Sequence, residues 1–357
     1  MTKIKRLAQQ IMKYPLTRRD ETKVGKYFEK YEIKDFYQHL EDPDGEETMK
    51  FVKDQNELTS LILSRSTVKE KFKSRLTQLM DYAKFGCPIK RGSNFYHFYN
   101  SGLQAQSVLR KQSGLDQEAT TFFDPNVLSE DGTVSLNTYS FSKSGEYFAH
   151  ALSESGSDWV KVFVKSVETG ENIGKPLKWV KFTSLEWTHE NKGFFYKSYP
   201  KPKTTEEKAG TETDKNEKCS WYYHLLNTSQ EEDIKVYTDS DPDSHPSISV
   251  SEDGKYLVLT ITKSCDPNAR VLYAKTQDFL QNLPKEPEFK VIVDNFDNAY
   301  SFITNDDNLF WFETTLDAPK KRIVQFDINS PEKVDYWSSP SHKMYRDLWK
   351  LLDLHLM

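Results

Sequence analysis

A chain of 357 residues is longer than one compact core usually serves, so several domains or a repeat architecture is expected. A net charge of −5 excludes a broad basic surface for nucleic acid, and no apolar run approaches the roughly 18 residues of a membrane span. The three cysteines, Cys87, Cys219 and Cys265, form no CxxC pair and no zinc spacing, which fits a reducing compartment and makes the cytoplasm the expected location.

The opening stretch "MTKIKRLAQQIMKYPLTRR" is basic and free of acids, with Ile4, Leu7, Ala8 and Ile11 at helical spacing. It has no signal-peptide core and no serine, so it reads as a basic helical lead-in rather than a mitochondrial presequence. In "DPDGEETMKFVKDQNELTSLIL", Asp44 is placed to cap a helix, with Glu47 three residues on as its reciprocal partner. Phe51, Leu58, Leu61 and Ile62 then share one helix face. "STVKEKFKSRLTQLMDY" predicts a second helix on Val68, Phe72, Leu76 and Leu79. Both faces need a partner that the chain does not evidently supply.

From residue 80 the pattern changes. A polar turn followed by aromatic and β-branched residues recurs in "IKRGSNFYHFY", "SKSGEYFAH", "HENKGFFYK", "SEDGKYLVL" and "NDDNLFWFE". Aligning Gly92, Gly145, Gly193, Gly254 and Asn308 gives spacings of 53, 48, 61 and 54. The longest interval holds the charged insertion "KPKTTEEKAGTETDKNEK", a solvated loop. Each unit offers a strand before the turn (as in "VSLNTYSFS" and "HPSISVSED"), one after it, a third ("WVKVFVKSV", "ARVLYAKTQ") and a fourth ("ATTFFDPN", "EDIKVYTD", "EFKVIVDN"). Four short antiparallel strands every 50 residues or so is the plan of a β-propeller blade. Five such units fit, so the expected fold is mainly β: an incomplete propeller behind a helical N-terminal arm.

Chemistry is sparse. No Gly-x-Ser-x-Gly elbow is present, and no Gly-rich loop joins a strand to a helix for phosphate. The eight histidines make no HxH or HxxxH pair, and His97, His150 and His224 fall within strands as structural residues. "DSDPDSHP" opens like a calcium loop at Asp239, Asp241 and Asp243, but Pro242 stiffens it and Val250 stands where a bidentate glutamate is needed. No metal, cofactor or catalytic residue is expected. The sequon at Asn227 is expected to stay unmodified. Cys265, in the turn "KSCDPNAR", is the one thiol on a loop.

The ordered words "YPLTRRDETKVGKYF", "DFYQHLEDPDGEETMKFVKDQN", "FYNSGLQAQSVL", "FDPNVLSEDGTVSL", "FSKSGEYFAHALSESGSDWV", "VKFTSLEWTHENKGFFY", "GTETDKN" and "CDPNARVLY" resemble the prolyl oligopeptidase (prolyl endopeptidase) family. The resemblance runs from Tyr14 to about Trp337; Phe36 and His39 depart from it, standing where the family has proline and tryptophan. It implies an N-terminal arm (1–79) belonging to an α/β-hydrolase domain, a propeller of seven blades in the family and about five here (80–337), and a divergent tail (338–357) with Leu348, Leu351 and Leu352 close together. Family members cut short peptides after proline, with a Ser-His-Asp triad in a C-terminal portion that no residue here matches. The loop bearing "CDP" faces the substrate cavity in the family, which makes Cys265 the substrate-facing candidate and Arg270 the next. The resemblance therefore implies the propeller portion of a proline-specific serine peptidase, inactive by itself and prone to self-association, whose partners are proline-containing peptides. A non-catalytic propeller that only binds is the alternative.

Overall fold

Five times in the second part of the chain, four short strands fold back on one another into antiparallel sheet. The computed structural model describes residues 14–202, 210 and 215–332, with the backbone of 334–336. The basic lead-in before Tyr14, most of the charged insertion and the tail lie outside the described residues. The chain divides into two units, one up to Tyr82 and the other beginning at Ala83.

The first unit holds the hairpin β1 (Val24–Tyr27) and β2 (Tyr31–Lys34), then α1 (Glu46–Ser64) and α2 (Lys69–Met80). The helix α1 starts differently from the sequence expectation. Gly45 is the N-cap, with no side-chain cap bond, because Glu47 is turned to Arg18, whose Nε and Nη2 donate at 3.2 and 3.0 Å. Asp44 donates its own N–H to Asp42. The two family departures are both accommodated: the Arg19 guanidinium lies 3.7 Å from the Phe36 ring centroid, and His39 Nε2 is 3.0 Å from Thr17 Oγ1. The apolar side of α2 is open, with Val68, Phe72, Leu76 and Leu79 all exposed.

In the second unit, module one comprises β3 (Lys84–Phe85), β4 (Ile89–Arg91), β5 (Asn94–Asn100), β6 (Val108–Gln112) and β7 (Thr120–Phe123), with β3 and β4 both paired to β5. Module two is β8 (Ser135–Phe141), β9 (Tyr147–Ser153), β10 (Trp159–Ser166) and β11 (Asn172–Lys181). Module three is β12 (Glu186–Trp187), β13 (Gly193–Ser198), β14 (Ser220–Leu225) and β15 (Ile234–Thr238), joined to module two by the pair Val180–Ser198. Module four is β16 (Ser244–Val250), β17 (Tyr256–Lys263), β18 (Ala269–Lys275) and β19 (Lys290–Val293), with α3 (Thr276–Gln281) between the last two. Module five is β20 (Tyr300–Asp306), β21 (Leu309–Thr314), β22 (Arg322–Asp327) and β23 (Val334–Tyr336).

Four apolar layers separate the five modules. Tyr96, Phe123, Phe141 and Phe148 fill the first, and Val162, Val180, Trp187 and Phe194 the second. Phe195, Trp221, Tyr223, Leu257 and Ile261 fill the third, and Tyr256, Val258, Phe310 and Phe312 the fourth. Successive residues of one strand serve opposite layers, Phe194 and Phe195 in β13, Leu257 and Val258 in β17, as the two-residue period of a strand requires. Indole N–H groups tie the layers to the first strands: Trp187 donates to Ser140 O and Trp221 to Pro246 O.

The turns between first and second strands repeat bond for bond. Ser142, Thr188 and Ser251 donate to Tyr147, Gly193 and Tyr256 carbonyls, and the backbone N–H of Gly145, Asn191 and Gly254 returns to each of them. The left-handed position is therefore Gly92, Gly145, Asn191, Gly254 and Asp307. The sequence alignment was out of register in two units: Gly193 opens β13 and Asn308 follows the left-handed Asp307. Gly193 is needed for a different reason, since a Cβ there would lie 2.3 Å from His224 O.

Neighbouring turns touch. Ser144 N donates to Asn191 Oδ1 at 3.0 Å, Lys143 reaches Glu252 at 2.6 Å, and Asn305 Nδ2 donates to Asp253 at 3.0 Å. A Cβ on Gly145 would meet Gly92 N at 2.8 Å, whereas one on Gly156, equally left-handed at φ +76°, would meet nothing. Gly156→Ala is expected to cost about 1 kcal/mol and Gly145→Ala about 2–4, the excess being the backbone clash. Urea unfolding of the two variants side by side checks this; equal losses would show that the turns are not packed together.

Candidate functional site

Because turns and strand connections alternate, each sheet has two ends. One carries the stitched turns just described. The other carries the loops between second and third strands and the links from one module to the next, and Cys265 belongs to it. The turn Ser264–Pro267 joins β17 to β18; Ser264 N donates to Asp243 O, and Asp266 receives the Asn268 N–H at 2.9 Å. Cys265 projects from it as an exposed free thiol, but it is not the one loop thiol the sequence suggested, since Cys87 is exposed in the connection between β3 and β4. Arg270, second residue of β18, comes to the same end, but its Nε and Nη2 sit 3.0 and 2.9 Å from Asp294 Oδ1, and Nη1 lies 4.0 Å from Asp239. Its guanidinium is thus already engaged by two carboxylates.

The calcium-like run is occupied in the same way. Asp239 and Asp241 each accept the N–H two residues on, Tyr237 Oη donates to Asp239 at 2.8 Å, and Lys263 pairs with Asp241 at 2.8 Å. Lys263 holds the Asp241 carboxyl below its usual range, while burial first and then Asp239 push the Tyr237 hydroxyl up. These carboxylates cap backbone and pair with cations, and among the described residues no group of three potential ligands converges as a metal site. Exposed apolar side chains also gather at this end: Leu103, Val127, Leu128 and Phe182, the last with a left-handed backbone at φ +51°.

His97, His150 and His224 are buried in β5, β9 and β14. His224 Nδ1 lies 2.7 Å from Asp233, which also accepts from Tyr196 Oη at 2.7 Å, so this triad of side chains braces module three. Two ionisable residues escaped the sequence reading. Glu186, on β12, is half-buried between modules three and four and is held by the Ser184 hydroxyl and the Val250 N–H; burial raises its pKa to about 7. Lys197, on β13, is buried and has its pKa pushed down by burial. The signal for Lys197 was its place two residues after Phe195, on the same inward side of the strand.

Residues 15–342 match the family described as "Prolyl oligopeptidase, N-terminal beta-propeller domain". The chain belongs to the prolyl oligopeptidase family. It is similar to prolyl oligopeptidase A of Amanita bisporigera, with 37% identity over 84% of this chain and 42% of the relative. With the prolyl endopeptidase of Elizabethkingia meningoseptica it shares 32% identity over 92% of this chain and 44% of that protein. Among solved structures, prolyl oligopeptidase B from Galerina marginata bound to a 25mer macrocyclization substrate superposes with a TM-score of 0.81 at 30% identity, covering 92% of this chain and 48% of that one. The chain thus spans less than half the length of the prolyl oligopeptidases it matches. The fold expected from the sequence, mainly β with a propeller behind a few N-terminal helices, is the one found. No helix of the described residues is long and apolar enough to cross a membrane.

Two measurements check the site. Cys87 and Cys265 are exposed and Cys219 is buried, so a thiol reagent should modify two cysteines in the native protein and the third only on unfolding, with Cys265→Ser removing one of the fast pair. Three fast thiols, or one, would contradict this placement. Glu186 keeps its proton in the folded chain up to about pH 7, whereas the unfolded chain releases it near 4.5. Stability is therefore lost as pH rises through that window, by about 2–3 kcal/mol. Glu186→Gln should match the parent near pH 4.5 and exceed its stability by that amount at pH 8, read by denaturant titration at both; a difference independent of pH would refute the assignment.

Proposed function

We propose that this chain is the propeller portion of a proline-specific serine peptidase, and that its loop-bearing end, with Cys265 and less directly Arg270, faces short proline-containing peptides. The match of residues 15–342 to the family's propeller carries this reading. Three features of the chain support it. The exposed Cys265 thiol shares one end with the exposed side chains of Leu103, Val127, Leu128 and Phe182, the turns of the opposite end bond to one another, and the sheets between are filled with apolar layers. Arg270 is the weaker candidate because a peptide group would have to compete with Asp294 for it.

In serine peptidases the activated serine, its histidine and the oxyanion donors act together, and loss of triad members leaves only the residual catalysis of the remaining site. The sequence contains no Gly-x-Ser-x-Gly elbow. Ser142 and Ser251, the buried turn serines, spend their hydroxyls on local bonds: Tyr147 N donates to Ser142 Oγ, and Ser251 Oγ donates to Asp253. The chain as it stands is therefore expected to leave a Gly-Pro-linked fluorogenic substrate uncleaved above buffer. Turnover that scales with protein and is blocked by a serine-directed phosphonate would overturn the proposal of an inactive portion.

A further inference from the structure

Where charged side chains of different modules come within reach at the stitched turns, they pair. Lys143 of the module two turn meets Glu252 of the module four turn at 2.6 Å, and Lys255 of module four meets Asp307 of module five. The turns of modules one and two touch through backbone at Gly92 and Gly145, and beside that contact lies a cavity of 410 Å³. Its module one wall carries Arg91, the last residue of β4, and Lys111, near the end of β6. Lys111 is half-buried and is the register partner of Tyr96, whose ring fills the layer between these two modules, so its stem leaves β6 toward module two. The module two wall carries Glu146, on the turn between β8 and β9, and Glu168, on the turn between β10 and β11. Among the described residues, none of these four takes part in an ion pair within 4.0 Å. Arg91 commits only Nη1, to Lys90 O at 2.7 Å, and Ser144 Oγ donates to Glu146 Oε2 at 3.0 Å, which holds that carboxylate in place. Here, then, opposite charges face each other across a cleft without closing on one another.

We propose that the cleft between modules one and two binds a small zwitterion, its carboxylate toward Arg91 and Lys111 and its ammonium toward Glu146 and Glu168. Two cations and two anions sum to zero, so a simple anion is drawn by one wall and repelled by the other, and a simple cation likewise. A ligand that carries both charges is attracted at both ends, and only in one orientation. A free amino acid and a short peptide with free termini both supply this chemistry. The cleft lies at the end opposite Cys265, so the site stands or falls independently of the peptide recognition proposed for the loop-bearing end.

The test is saturation-transfer NMR on the full chain at constant ionic strength, with glycine and diglycine as zwitterions and with acetate and methylammonium as their charged halves. At least one zwitterion should bind saturably, and each half should bind about tenfold more weakly or less, since it gains one wall and opposes the other. Lys111→Met and Glu168→Gln should each lower the affinity for the zwitterion by about fivefold, as loss of one ion-pair partner does. Glu168 is exposed on a turn, so its variant keeps the test open if the Lys111 variant folds poorly. Diglycine binding about tenfold or more tighter than glycine assigns the site to peptide termini, and any smaller ratio assigns it to a free amino acid. No saturable signal from either zwitterion, acetate or methylammonium binding as tightly as they do, or an affinity unchanged in both variants overturns the site.

Discussion

Everything in the second unit follows from the way each sheet is wedged between two neighbours. An antiparallel sheet packed on one face alternates apolar and polar residues, but a sheet packed on both faces must be apolar throughout. β13 is the plain case: Phe194 and Tyr196 fill one layer while Phe195 fills the next. β17 repeats the arrangement with Tyr256 and Val258 against Leu257 and Leu259. At about 25 cal/mol per Å² of apolar area, rings buried on both sides of a sheet give a large favourable term that no surface ion pair here approaches. The faces are consumed by packing, so polar chemistry is pushed to the sheet ends or must be buried with a partner. Of the two ends, one is used up by turns that bond to each other.

Buried polar groups sort themselves by whether that partner exists. His224, Asp233 and Tyr196 satisfy one another at 2.7 Å, and such a closed network rigidifies the module without a net burial penalty of the full size. Glu186 has a hydroxyl and an amide to accept from but no cation, and it responds by holding its proton. Lys197 has no carboxylate beside it, only the Cys219 thiol, and burial pushes its pKa down. The three cases lie in one module and show three outcomes of desolvation, set by the supply of acceptors and donors as well as by depth, Glu186 being half-buried where His224 and Lys197 are buried.

How far the sequence could be read follows from the same physics. Strands buried on both faces announce themselves as runs such as "GFFYKS" and "KYLVLTI", and the polar turn before each run set the repeat. The register of two turns was missed because asparagine and aspartate also adopt the left-handed conformation, so the glycine nearest the turn was the wrong marker in module three. β11 was missed because Gly174, Pro176 and three lysines break its pattern, and the strand answers with two register shifts against β10. The hairpin of β1 and β2 has no buried face at all, hence no pattern to find. The site was less legible. Cys265 was found by resemblance and by lying on a loop, whereas Lys197 looks like any lysine at a strand end until its inward side is known.

The two ends of the sheets then carry different kinds of sequence. The stitched turns tolerate little: they are short, demand a left-handed residue, and pack so closely that Gly145 has backbone within 3 Å of where a Cβ would stand. Connections between third and fourth strands at that end can still be long, as α3 between β18 and β19 shows, and the other end carries long loops as well. Its connections range from the five-residue turn after β17 to the long segment between β13 and β14, and their side chains are those that remain exposed, Leu103, Val127, Phe182 and Cys265. Loops held on a rigid scaffold are where recognition usually resides. Recognition proposed for the loops therefore acts at the end away from the stitched turns, with the apolar layers holding the loops in place.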